Sequence, residues 1–131
     1  MSDETFGAML KRIRKEHNIP IGKAAKAAGI STPYLSDIEK DRRPAPARDK
    51  LMEMFRSLNF TKDEEAQLCD AAGRSQNTIA YDLPEYIMDR DYVTVALRTA
   101  KDMDAGEEVW KKFVDELLAS KGSSDDSRGV Q

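Results

Sequence analysis

The sequence predicts an all-α protein, with five short helices in the first 74 residues followed by a smaller helical extension. Three observations carry that reading. Apolar residues recur at i, i+3, i+4 and i+7, the period of a helix with one buried face. Prolines and glycines punctuate the chain at short intervals. No stretch shows the strict alternation of a half-buried strand.

Phe6, Met9, Leu10 and Ile13 make the apolar stripe of the first helix, with Lys11, Arg12, Arg14 and Lys15 on its other face. Asn18 and Pro20 end it, because the residue before a proline is pushed out of the α region. Pro20 can open the second helix, "IGKAAKAAG", whose alanines favour helix and allow close approach and which Gly29 stops. Gly22 costs that helix roughly 1 kcal/mol relative to alanine. Ser31 is a good N-cap for the third helix, and Pro33 falls in the first turn, where its missing N–H does little harm. Leu35 and Ile38 supply the inward face of this helix, and "DRRPAPA" breaks the chain after it.

Leu51, Met54, Phe55 and Leu58 line one side of a fourth helix. Thr61 and Glu64 have the T-x-x-E spacing of a capping box for a fifth, which Gly73 is expected to terminate. The predicted organisation is a helical domain over 1–74, a connector over 75–82, a helical extension over 83–121 and a disordered tail over 122–131. Leu83, Tyr86 and Ile87 mark a sixth helix; Val93, Ala96, Leu97, Ala100 and Met103 mark a seventh. Asp104 and Glu107 suggest a capped start for the last, and Trp110, Phe113, Val114, Leu117 and Leu118 give it a broad apolar face. The tail, "GSSDDSRGVQ", has too little apolar content to pack.

Several function classes are poorly supplied. Hydrophobic residues make up 40 % of the chain and charged residues 34 %, and no run approaches the roughly 18–20 apolar residues that span a membrane. The acidic start "MSDETFGAML" is unlike a secretory signal, so a cytoplasmic location is expected. Cys69 and His17 are the single cysteine and histidine. Cys69 reads as a small buried hydrophobe and His17 as a cation near a helix C-terminus. Neither a hydrolase triad nor a metal cluster can be built from them, and no Gly-rich phosphate loop is present. No catalytic residue, metal or cofactor is expected.

Charge is unevenly spread. Residues 1–60 hold 12 Lys+Arg against 8 Asp+Glu, a net +4. Residues 61–131 hold 9 against 16, a net −7, and the two halves give the overall −3. A basic half joined to an acidic one suits a nucleic-acid binder with a second role.

A helix-turn-helix needs a small residue where its helices touch, a glycine-type turn and a second helix with one buried and one exposed face. Ala25, Gly29 and the Leu35/Ile38 pair meet these needs. The run "IPIGKAAKAAGISTPYLSDIEKDRR" resembles the helix-turn-helix of the Xre family, which includes phage Cro proteins and lambda-type repressors. Ile19, Ala25, Gly29, Ile30, Ser31, Tyr34, Leu35, Ser36, Ile38, Glu39, Arg43 and Pro44 match or nearly match its pattern. The resemblance covers about residues 5–73 and implies a five-helix lambda-repressor-like DNA-binding domain. The stretch from 83 to 120 resembles the C-terminal part of Xre-type regulators common on bacterial mobile elements. This chain departs from the family at Ile21 and Gly22, where glutamine is frequent, at Ala24, where leucine is usual, and at Asp41, where glycine is common.

Carried over residue by residue, the resemblance implies that Thr32, Pro33, Ser36 and Asp37 face DNA bases. Thr32 and Pro33 can pack on a thymine methyl, Ser36 can hydrogen-bond either way, and Asp37 can accept from cytosine N4. An intraprotein ion pair of Asp37 with Lys40 or Arg42 is the alternative. Lys23, Tyr34, Lys40, Arg42 and Arg43 are the candidates for phosphate contact, which positions a protein without reading sequence. Glu39 is expected to tie structurally to an early basic residue, Arg12 or Arg14. Arginine, asparagine and glutamine, the bidentate readers, are missing from 32–37.

The expected function is a repressor acting as a homodimer on a palindromic double-stranded operator, with half-sites about 34 Å apart. Trp110, Phe113 and Leu117 are the expected dimer or partner surface, and periodicity leaves open whether residues 83–120 close on their own chain. The alternative is an antitoxin-like protein whose C-terminal helices bind a partner toxin while the N-terminal domain regulates its own gene.

Overall fold

The computed structural model describes residues 4–128, with side chains as far as residue 121. Every regular element among the described residues is helical. The order is α1 (Phe6–Glu16), α2 (Ile21–Ala28), α3 (Thr32–Glu39), α4 (Arg48–Ser57), α5 (Lys62–Ser75), α6 (Pro84–Met88), α7 (Asp91–Asp102) and α8 (Glu107–Arg128). Two compact units divide between Tyr86 and Ile87. No described helix is long and apolar enough to cross a membrane.

Side-chain caps start several of these helices. The Thr5 hydroxyl accepts from the Ala8 N–H at 3.1 Å, and the Ser31 hydroxyl accepts from the Tyr34 N–H at 3.2 Å. The capping box at α5 is complete, since Thr61 accepts from the Glu64 N–H and Glu64 accepts from the Thr61 N–H. Each such cap satisfies a backbone donor that the helix itself cannot.

The ends follow a rule the glycines alone do not disclose. Asn18, Asp41, Asn77 and Asp104 all hold positive φ, as Gly29 does. Each is followed by a residue whose N–H returns to a carbonyl of the last turn, as Ile19 does to Arg14 at 2.9 Å and Arg42 to Asp37 at 2.8 Å. This is the left-handed helix stop, and Asn and Asp tolerate it better than other side chains do. Asp104 therefore ends α7 rather than capping α8, a correction to the sequence reading.

The first unit is built around Leu10, Ile13, Leu35, Ile38, Leu51, Met54 and Leu68, all fully buried. α2 packs on α3 and α4, and α1 packs on α3 and α5. Ala24, Ala25 and Ala28 line the buried face of α2, where small side chains let its neighbours approach. Gly7 stands where a Cβ would run into the Ile38 carbonyl oxygen, so α1 meets the end of α3 backbone to backbone.

Gly73 does not terminate α5, which continues to Ser75. It is buried in the last turns, and a Cβ there would come within 2.5 Å of the Ile79 carbonyl oxygen. Packing explains this glycine; Asn77 takes the left-handed position that ends the helix. The segment read as a connector belongs to the first unit. Tyr81 is buried and its hydroxyl donates to the Pro46 carbonyl at 3.1 Å, while Arg48 Nε donates to the Tyr81 carbonyl at 2.8 Å. Cys69 is buried as expected. Burial, aided by Asp82, Asp70 and Glu65, pushes its thiol up to about 12.

In the second unit α7 exposes Tyr92, Val95 and Leu97, and α8 exposes Trp110, Phe113, Val114, Leu117 and Leu118. The backbone of α8 stays helical past Lys121 to Arg128, into the stretch expected to be a tail. No proline interrupts it, and Gly122 alone costs a helix only about 1 kcal/mol. The end of that expected tail, 129–131, lies outside the described residues.

Candidate nucleic-acid interface

The candidate reading element is α3, and its placement begins with the α2–α3 turn. Gly29 adopts φ 71°, and the Ile30 N–H returns to the Ala25 carbonyl at 3.0 Å. The chain thereby reverses within a few residues. Ser31 then restarts the helix, and Pro33 occupies its first turn without a lost hydrogen bond. A Cβ on Gly22 would stand 3.7 Å from Thr32 Oγ1, so the starts of α2 and α3 lie side by side.

Burial then orients α3. Leu35 and Ile38 are sealed in the core. Glu39, one residue further, turns inward as well and meets Arg14 through two hydrogen bonds of 2.8 Å, from Nε and Nη2. The remaining Arg14 nitrogen donates to the Ile19 carbonyl at 2.9 Å. Of the two basic residues expected as partners, Arg14 is the one. Arg12 instead pairs with Glu4 and Glu16 at the surface. The hydrogen bonds that Arg14 donates to Glu39 raise the pKa of Arg14 further, against the effect of burial, so the guanidinium stays charged. It fastens α1 to the end of α3.

With Leu35, Ile38 and Glu39 inward, Thr32, Pro33, Ser36 and Asp37 share the outward face. Thr32 and Pro33 are exposed, and Ser36 and Asp37 are half-buried. Lys23 is exposed on α2, and Lys40, Arg42 and Arg43 are exposed beyond the end of α3. The expected base-reading residues thus share the outward face of α3, and the expected phosphate-contacting lysines and arginines are exposed to solvent.

Asp37 is engaged within the protein. Its carboxylate lies 3.7 Å from Arg42 Nη1 and 3.9 Å from Arg43 Nε, so its partners are both arginines rather than Lys40. The Arg43 guanidinium also sits 4.6 Å from the centre of the Tyr34 ring. These are exposed contacts worth about 0–1 kcal/mol each. They hold the arginines loosely enough for a phosphate to capture them.

Two further basic residues were not legible in sequence. Lys50 reaches from α4 to the α2–α3 turn, its Nζ 3.7 Å from where a Cβ on Gly29 would stand. Arg74 of α5 lines an open cleft of about 460 Å³ together with Arg42 and Arg43. Both arrive through tertiary packing, and no local pattern announces either.

Among the described residues no group of three His, Cys, Asp or Glu is arranged to hold a metal ion. No curated protein and no solved structure matches the chain. Residues 10–64, spanning α1 to the start of α5, match the helix-turn-helix family model, a family of DNA-binding regulatory domains rather than of enzymes. Residues 10–64 therefore carry an Xre-type helix-turn-helix domain, which supports a DNA-binding transcriptional regulator.

Proposed function

We propose that this regulator is a sequence-specific repressor that binds a palindromic operator as a homodimer. The observation that carries the reading is the outward face of α3, made by Thr32, Pro33, Ser36 and Asp37, with Arg42 and Arg43 beside Asp37 and with Lys23 and Lys40 exposed on the same helix pair or just beyond it. Thr32 and Pro33 offer apolar contact to a thymine methyl, and Ser36 offers a hydroxyl. Asp37 becomes an acceptor for cytosine N4 once phosphates draw Arg42 and Arg43 away. Tyr34, stacked on Arg43, presents its hydroxyl at the rim of the same surface.

No bidentate reader stands on the outward face, so each monomer discriminates weakly and two must act together. Trp110, Phe113 and Leu117, exposed along α8, supply the dimer surface in this reading. The same exposed apolar face favours a second reading, in which an antitoxin-like chain presents it to a toxin encoded by a neighbouring gene.

Titration of fluorescent DNA from upstream of the protein's own gene tests the proposal. Binding should show sequence preference and weaken as salt rises. Arg43→Ala should weaken binding on every sequence and lower the salt slope by about 1, whereas Thr32→Ala should change preference at one base position. Absence of binding at low salt overturns the repressor reading. Equal effects of both variants on all sequences overturn the assignment of roles.

A further inference from the structure

No described side chain of α8 is buried, yet one face of the helix carries six large apolar residues. An isolated helix of this kind is marginal in water, because most helical stability comes from packing of the apolar face. The cover for that face is legible in the order of its residues.

The apolar pattern of α8 reads the same in both directions about a point between Phe113 and Val114. Reversed on itself, the helix sets Phe113 against Val114, Trp110 against Leu117 and Val109 against Leu118. The charges do the opposite. Lys111 and Lys112 form a positive block, followed one turn later by the negative block Asp115 and Glu116. Glu107 and Glu108 are negative at the start, and Lys121 is positive near the other end. About the same midpoint, the positive block falls opposite the negative one, and Lys121 falls opposite Gly106, one residue from the acidic start. A parallel pairing would stack like charges along the whole length, well within the screening distance of about 8 Å at physiological salt.

We propose that α8 pairs antiparallel with α8 of a second copy of this chain, centred between Phe113 and Val114. A groove of about 440 Å³ beside Trp110 and Val114, bordered by Glu107, Lys111 and Asp115, then receives Leu118 of the second copy. The arrangement is a two-fold, self-complementary contact, as a symmetric dimer requires. It rests on the homodimer reading above and adds orientation and register to it.

Disulfide trapping in the full-length protein tests it. Chains carrying Glu107→Cys and chains carrying Lys121→Cys are mixed and oxidised, with sedimentation of the unmodified protein run alongside. Cys69, buried with its thiol pushed up to about 12, stays out of the exchange. Antiparallel pairing brings positions 107 and 121 of different copies together, and separates identical positions by about 20 Å at 1.5 Å per residue. The mixed crosslink should exceed either self-crosslink at least tenfold. A dimer in which self-crosslinks dominate means parallel pairing and overturns this inference alone, as does a dimer with no crosslink of either kind. A chain that sediments as a monomer overturns the homodimer reading itself.

Discussion

The two units of this protein are made of similar amphipathic helices, yet they stand at opposite ends of a scale of burial. In the first, Leu10, Ile13, Leu35 and Leu51 lose all contact with solvent, and even an arginine and a glutamate are drawn into the core. In the second, Phe113 and Leu117 remain about half exposed, at 49 % and 52 %, and no described residue from 91 to 121 is buried. The contrast teaches what periodicity reports. It names the face of a helix that seeks cover, and it is silent on whether that cover belongs to the same chain.

The strongest way to break the contrast is to damage the first unit's buried pair. Glu39→Ala leaves the Arg14 guanidinium buried without its carboxylate and should cost about 3–5 kcal/mol. Urea unfolding followed by circular dichroism measures it; a loss below about 1 kcal/mol would mean that the pair is solvated and not part of the core. The double change Arg14→Met/Glu39→Leu should recover most of the stability, since packed apolar groups often replace a buried ion pair without loss.

Gly7→Ala comes next. Its new methyl would meet the Ile38 and Glu39 carbonyl oxygens, so α1 must move away from α3, at a cost of about 1–3 kcal/mol. The same substitution at Gly106, where a Cβ meets nothing within 4 Å, should leave the melting temperature within a degree or two. If the two glycines respond alike, the difference in packing between the units is not what the geometry implies.

Trp110→Ala sharpens the comparison from the other side. In the homodimer reading it should weaken self-association by about 2 kcal/mol, roughly thirtyfold in Kd, with little change in the first unit's own unfolding. Sedimentation across a concentration series reads the first effect and denaturation of the diluted monomer the second. Unchanged association would remove Trp110 from the surface.

The smallest effect is a pH dependence confined to the first unit. Burial raises the pKa of Glu64, but the Thr61 N–H, at 2.9 Å, and His17, at 2.8 Å, outweigh it and hold the carboxyl below its ordinary value. A carboxylate depressed in the folded state contributes stability above its unfolded pKa. That contribution is lost as pH falls through the folded value. Acid titration of stability should therefore show a loss that Glu64→Gln flattens. An identical acid limb in the variant would remove Glu64 from the account.

Much of this was legible from local spacing. Ser31, Thr61 and Glu64 cap helices because a cap needs only residues three apart, and Leu35 and Ile38 face inward because a helix turns by about 100° per residue. The outward set on α3 follows from the same rotation once the inward pair is known. Gly29 stops α2 for a reason internal to the turn.

Other features were settled only when distant segments met. Whether Glu39 takes Arg12 or Arg14 depends on how α1 is rotated against α3, and Asp37 finds Arg42 and Arg43 because a left-handed Asp41 folds the chain back. Gly73 reads as a helix stop in sequence and proves to be a packing residue, because Ile79 returns over it. Tyr81 looks like part of a linker until Pro46 supplies a partner for its hydroxyl. Caps, stops and faces are set by interactions within a turn or two of helix, which the order of residues states directly. Partners across helices are chosen by geometry that no single segment contains.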